Sequence, residues 1–188
     1  IALINGGAIR SSFDAGVITK GDVIRVHPFQ NSLMRVEMTG DVLISAIEHS
    51  VSDFEAFAPS GKFLVPSSLL SWVFNPETGK VILVSYKGGP VDRRATYVVT
   101  LASFIANGGD GYSMFLPLEK TVLSNTVTES VIQILKESSP YTPPDDSSCT
   151  GDAQSADKII SRLCRILYTS KKDMYQQPTA VRIGALFA

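Results

Sequence analysis

Two apolar, strand-like runs each lead into a glycine-rich turn, and this arrangement limits what the 188-residue chain can fold into more than any other feature. Ile1-Ala2-Leu3-Ile4 runs into Asn5-Gly6-Gly7-Ala8-Ile9-Arg10, and residues 97–102 deliver Phe104-Ile105-Ala106-Asn107-Gly108-Gly109-Asp110-Gly111-Tyr112. Consecutive glycines let the backbone turn sharply and approach a ligand with no Cβ in the way. Strand ends are also where folds that mix helices and strands place ligand contacts. Both motifs read as binding-site sequence.

The rest of the chain predicts alternating strands and helices. Thr19 and Asp22 have capping-box spacing for a short helix that must end before Pro28, which leaves Phe29 in the following turn. Met34, Val36 and Met38 alternate with Arg35 and Glu37 as in a half-buried strand, broken at Gly40. Leu43, Ile47, Val51 and Phe54 fall on one helical face, with Glu48 and Asp53 off it. Residues 73–75 and 80–86 flank Pro76-Glu77-Thr78-Gly79 and read as a hairpin, and 97–102 as a further strand. Thr128 is placed to cap a helix carrying Val131, Ile132 and Leu135. Residues 138–157, rich in proline, serine and acids, read as a flexible insertion. A last helix gathers Ile159, Ile160, Leu163, Ile166 and Leu167 opposite Lys158, Arg162 and Arg165, suited to docking on the domain. The expected fold is α+β, one domain over 1–188 built around a mixed β-sheet with packed helices.

Composition narrows the partners. Hydrophobic content is 44%, and seventeen basic residues face eighteen acidic ones for a net charge of −1, so no whole-chain field attracts nucleic acid or anionic lipid. No apolar run approaches the roughly 20 residues that cross a bilayer. Cys149 and Cys164 are too few for a disulfide scaffold and lack metal-ligand spacing, which leaves room for a single bridge. Because the chain opens at Ile1 inside a strand-like run, it is expected to be a piece of a longer polypeptide.

Phosphate-loop and full dinucleotide fingerprints are absent, as is a Gly-x-Ser-x-Gly nucleophile signature. His27 and His49 lie in no cluster of ligating residues; His27 reads as a packed or capping residue, and His49 as a surface helix position. Binding chemistry is more visible than hydrolytic chemistry. Taken singly, Phe29 and Phe104 read as core, Arg10 as a surface ion-pair partner and Asp110 as a turn aspartate. Taken together, two rings beside turns can hold a planar heterocycle, Arg10 offers a fork of donors suited to phosphate, and Asp110 offers acceptors suited to a ribose diol.

The motif set extends further, through Ile18-Thr19-Lys20-Gly21-Asp22, Pro28-Phe29-Gln30-Asn31, Thr39-Gly40 and Glu48-His49-Ser50-Val51. With the two glycine motifs, in this order and spacing over about 1–115, it closely resembles the C-terminal domain of the 5'-nucleotidase family. Pro178 and Arg182-Ile183 resemble that domain's ending.

The resemblance implies a substrate-recognition domain working with an N-terminal metallophosphoesterase domain, which would hold two divalent metal ions, zinc or manganese, and lies outside this chain. Phe29 and Phe104 would sandwich the base, Asp110 would bind the ribose hydroxyls, Asn5 and Gly7 would contact the base, and Arg10 would face the ribose or phosphate. A further substrate-binding arginine of the family lies upstream of the first glycine motif. The reaction would release nucleoside and phosphate from nucleoside 5'-monophosphates. Alternatives within the family are sugar-nucleotide hydrolases, apyrases and cyclic-nucleotide phosphodiesterases with 3'-nucleotidase activity; outside it stands a catalytically silent, extracellular nucleotide-binding module. A homodimer is compatible with the last helix, and the resemblance implies an extracellular, cell-surface or periplasmic location. In one departure, Phe63-Leu64-Val65-Pro66-Ser67-Ser68 carries serines where many relatives have a glycine approaching the base, so a serine is expected to narrow the pocket or add a hydrogen bond.

Overall fold

The computed structural model describes residues 1–12, 16–54, 60–75, 77–140 and 181–182. Most of the 138–157 insertion and all of the helix expected around 159–167 lie outside these residues, as do Cys149 and Cys164.

The chain starts with β1 (Leu3–Asn5), followed at once by a 3-10 turn over Gly6–Ala8. Helix α1 (Lys20–Val26) begins at the expected capping box: Asp22 N donates to Thr19 Oγ1 at 3.3 Å, and Thr19 N donates to Asp22 Oδ2 at 2.7 Å. Bonds from the Thr19 side chain and backbone hold the Asp22 carboxyl below its usual range. The helix ends at His27, directly before Pro28.

Strand β2 (Ser32–Thr39) buries Val36 and Met38 and exposes Arg35 and Glu37, the alternation its sequence requires. It passes without a loop into α2 (Gly40–Val51), whose first turn is capped by Thr39 Oγ1 accepting from Val42 N. Gly40 is fixed there by crowding, since a Cβ would stand 2.1 Å from the Asp92 carbonyl oxygen. The buried face of α2 carries Leu43, Ile47 and Val51, with the half-buried Phe54 just beyond the helix, as the helical spacing predicts.

Next come β3 (Leu64–Pro66), β4 (Leu70–Asn75), β5 (Lys80–Tyr86), the two-residue β6 (Gly89–Pro90) and β7 (Thr96–Ala102). The β4–β5 hairpin starts at Leu70, three residues earlier than expected, because Leu70, Trp72 and Phe74 alternate inward all along it. One short helical turn, α3 (Ser103–Ala106), leads to 3-10 turns at Gly109–Gly111 and Ser113–Phe115, then to β8 (Lys120–Thr126) and α4 (Val127–Glu137). The cap of α4 is Thr126, not Thr128: Glu129 N donates to Thr126 Oγ1 at 3.1 Å and Thr126 N donates back to Glu129 Oε2 at 2.9 Å. Thr128 lies inside the helix, buried, and donates its hydroxyl to the His27 carbonyl at 2.8 Å, which ties α4 to the end of α1. The last described strand, β9 (Val181–Arg182), pairs antiparallel with β4.

Three sheet segments result, ordered β7-β2-β8, β1-β3 and β6-β5-β4-β9. Named strands pair antiparallel, and an isolated parallel bridge joins Ala2 to Thr100, so β1 connects its own pair to the edge of β7. Helix α2 packs against β2 and β5, placing Leu43 and Ile47 among Val36, Val99, Leu101, Leu70 and Trp72 in a common core. Each fully buried side chain of this kind contributes about 1.5–3 kcal/mol over remaining exposed. The α+β expectation holds.

Candidate functional site

Strand register decides where the candidate residues meet. Leu33 of β2 pairs with Ala102 of β7, so Phe29, four residues before Leu33, and Phe104, two after Ala102, leave the sheet at the same end. Asn31 fastens the two exits: its side-chain oxygen accepts from the Ser103 hydroxyl at 3.3 Å, and its carbonyl accepts from Val127 N at 3.0 Å. The Ala2–Thr100 bridge runs β1 parallel to β7, which carries Asn5 to that end as well. Neither phenylalanine is core. Phe29 is 46% exposed and Phe104 45%, each half available to a ligand.

The first glycine motif is held by the segment entering β3. Gly6 N donates to the Phe63 carbonyl and Gly7 N to the Gly61 carbonyl, both at 2.8 Å. The Gly61 oxygen also accepts from Asn5 Nδ2 at 3.3 Å. A Cβ on Gly7 would lie 3.1 Å from that oxygen and 3.3 Å from Asn5 Nδ2, so glycine permits the close approach.

Asn5 then reaches across to the second motif, donating from Nδ2 to Asp110 Oδ2 at 2.8 Å. Asp110 itself adopts the left-handed region at φ +53°, uncommon for a residue with a side chain. Gly109 seats the nearby ring: a Cβ there would fall 2.6 Å from Cε1 and Cζ of Phe104. Arg10 is exposed, its Nη1 donating to the Gly7 carbonyl at 3.4 Å and its backbone N to the Val26 carbonyl at 2.9 Å. Asn5, Gly7, Arg10 and Asp110 are thus linked by hydrogen bonds, directly or through Gly61, beside the end of β2 and β7 from which both phenylalanines emerge.

Two residues of this neighbourhood are not legible from spacing. His49 is a half-buried helix position that is engaged: its Nε2 lies 2.9 Å from the Asp110 carbonyl oxygen and its ring is edge-on to Tyr112 at 4.7 Å. Tyr112 is fully buried, stacks on Phe115 at 5.7 Å and donates its hydroxyl to the Lys62 carbonyl at 2.5 Å. Burial pushes its phenol far above the ordinary range. His27, by contrast, is the packed residue expected, and burial lowers its pKa while a hydrogen bond to the Ala8 backbone partly opposes the shift.

Ser67 is bonded at the other end of β1. Its hydroxyl accepts from Ala2 N at 3.0 Å and its backbone N donates to the Ala2 carbonyl at 2.8 Å, three residues along the strand from Asn5. The Ser68 hydroxyl is buried without a partner among the described residues. Ser67 closes the β1–β3 ladder at Ala2.

Among the described residues no group of three or more His, Cys, Asp or Glu could hold a metal ion, and no helix is long and apolar enough to cross a membrane. A cleft of about 640 Å³ lies elsewhere, between the start of α1 and α4, lined by Val17, Ile18, Val23, Ile132 and Leu135 with Lys20 and Lys136.

Comparison with known proteins gives this geometry its context. Residues 1–117 match the family described as 5'-nucleotidase, C-terminal domain. The chain is 34% identical over 176 residues to Protein 5NUC of Lutzomyia longipalpis, covering 84% of this chain and 31% of that protein. It is 30% identical over 154 residues to an apyrase of Tabanus yao, covering 76% of this chain and 28% of that one. Its fold matches the crystal structure of a 5'-nucleotidase precursor from Thermus thermophilus with a TM-score of 0.62 and 34% identity, over 72% of this chain and 28% of that one. The chain spans under a third of the length of either curated relative. By the matched residues, and by likeness in both sequence and fold, the chain belongs to the family of 5'-nucleotidase C-terminal domains.

Proposed function

We propose that this chain is the nucleoside-recognition part of a hydrolase that releases phosphate from nucleoside 5'-monophosphates such as AMP. One observation carries the reading: two half-exposed phenylalanines leave the same end of a strand pair, close to a carboxylate held by Asn5. Phe29 and Phe104 take the base between them, and each stacking ring is worth about 1–3 kcal/mol, or about 5- to 150-fold in affinity. Asn5 and Gly7 face the base, Asp110 accepts from the ribose hydroxyls, and the exposed Arg10 guanidinium approaches the ribose or phosphate.

The roles proposed for this chain are recognition and orientation of the nucleoside. Hydrolysis draws on two divalent ions, zinc or manganese, held by a separate metallophosphoesterase domain of the full-length protein, which acts outside the cell or in the periplasm. This chain's residues bind the nucleoside and orient it. The test is calorimetric titration of the full-length protein with adenosine and AMP, beside phosphate release with added zinc or manganese. Replacing Phe29 and Phe104 together by alanine is expected to raise the AMP Michaelis constant at least about tenfold. An unchanged Michaelis constant refutes the sandwich, and a substrate panel of mono- and diphosphates, sugar nucleotides and cyclic nucleotides fixes the class.

A further inference from the structure

We propose that His49 is a positioning residue for ribose recognition, holding Asp110 in the left-handed conformation that presents its carboxylate beside Asn5. The inference rests on the reading of Asp110 as the ribose ligand given above.

The backbone around Asp110 needs a restraint. Asp110 sits at φ +53° and ψ +22°, directly before Gly111 at +84° and two residues after Gly108 at +85°. The glycines accept these angles freely, whereas the Cβ of Asp110 makes them costly. Two contacts hold it. Asn5 Nδ2 donates to Oδ2 of the carboxylate at 2.8 Å, and His49 Nε2 lies 2.9 Å from the carbonyl oxygen of the same residue. A carbonyl only accepts, so the imidazole carries its proton on Nε2 and donates, whether neutral or protonated.

The ring is itself fixed. It projects from the last turns of α2, whose buried face is locked into the core. Its edge packs on Tyr112, which is fully buried and pinned through its hydroxyl to Lys62. Gly111 lies directly against it: a Cβ there would stand 3.0 Å from Nε2 and 3.1 Å from Cε1. His49 therefore grips the Asp110–Gly111 peptide from the core side, and Asn5 grips the carboxylate from the side of the first glycine motif. When the grip on the carbonyl is lost, Asp110 relaxes to a commoner backbone conformation and its carboxylate swings away from the position the ribose uses.

The experiment is equilibrium titration of the full-length protein with adenosine and with 2',3'-dideoxyadenosine, which lacks the diol. His49→Phe and His49→Leu remove the donor and keep apolar packing on Tyr112; His49→Gln retains an amide donor at similar reach. Both donor-free variants are expected to weaken adenosine binding about 3- to 10-fold, one hydrogen bond's worth, with dideoxyadenosine binding changed less than about twofold. His49→Gln is expected to recover adenosine binding to within about threefold of wild type. In an Asp110→Ala background, His49→Phe should add nothing further. Equal losses for both nucleosides, or a full loss in the Asp110→Ala background, would overturn the positioning role. Unchanged adenosine binding in both donor-free variants overturns it as well. A wild-type protein that does not distinguish the two nucleosides instead overturns the ribose reading of Asp110, and the role of His49 falls with it.

Discussion

Removing one oxygen from Tyr112 tests whether the candidate site is braced from beneath. In Tyr112→Phe the ring keeps its stack on Phe115 and its edge contact with His49, so no cavity opens. What disappears is the 2.5 Å hydrogen bond from the hydroxyl to the Lys62 carbonyl. An acceptor left without its donor costs about 1–3 kcal/mol. For a domain of this length each kcal/mol lowers the melting temperature by about 2–4 °C, so a drop of about 2–12 °C is expected by calorimetry. The loss should also reach the ligand. Lys62 follows Gly61, whose carbonyl takes bonds from both Gly7 and Asn5, and a loosened Gly61 is expected to weaken adenosine binding about 2- to 10-fold. The same variant has a signature in pH. Burial raises the phenol pKa in the folded state, so the unfolded chain ionises first, from about pH 10. This contribution to stability is therefore complete below that pH and fades as pH rises above it, and Tyr112→Phe should lack the slope. A melting temperature within about 1 °C of wild type together with unchanged adenosine affinity would refute the bracing argument.

Two further predictions concern the scaffold. Gly40→Ala places a Cβ 2.1 Å from the Asp92 carbonyl oxygen, backbone that has to move, and is expected to cost about 1–3 kcal/mol or more; a calorimetric melting temperature matching wild type contradicts the crowding. His27 is buried with a lowered pKa, so the unfolded state takes up its proton first and stability falls as pH drops below about 6.5; urea midpoints between about pH 7 and 5 should show this slope, flattened in His27→Gln.

Features written locally in the chain are the legible ones. Thr19 and Asp22 lie three residues apart and satisfy each other, so the start of α1 needs nothing from the rest of the fold. The inward alternation of β2 and the helical face of α2 also hold as spaced. Thr126 carries a local signal too, Glu129 three residues on, but Thr128 stands just as close to the apolar run and competes for the role. What excludes Thr128 is non-local: its hydroxyl is committed to the His27 carbonyl, 101 residues away. Spacing misplaces His49 for the same reason, since its Nε2 partner is the backbone of Asp110, 61 residues later, and nothing in the pattern of α2 announces it. The partner of Ser67, the backbone of Ala2, is likewise set by strand pairing that composition does not show. Candidate side chains are readable as types, whereas their mutual geometry comes from the register of β2 on β7 and the parallel bridge of β1.

The linked group of Asn5, Gly61, Asp110 and His49 draws on chain segments that meet only in the native state. Ligand affinity at this place is thereby tied to folding free energy: a nucleoside at a hundred times its dissociation constant would add about 2.7 kcal/mol to the stability of the domain. Occupancy can accordingly be read as a rise in melting temperature, with no need for turnover. Substitutions away from the ligand, at the start of β1 or in the first turn of α2, would register in binding by changing how often the four segments are assembled.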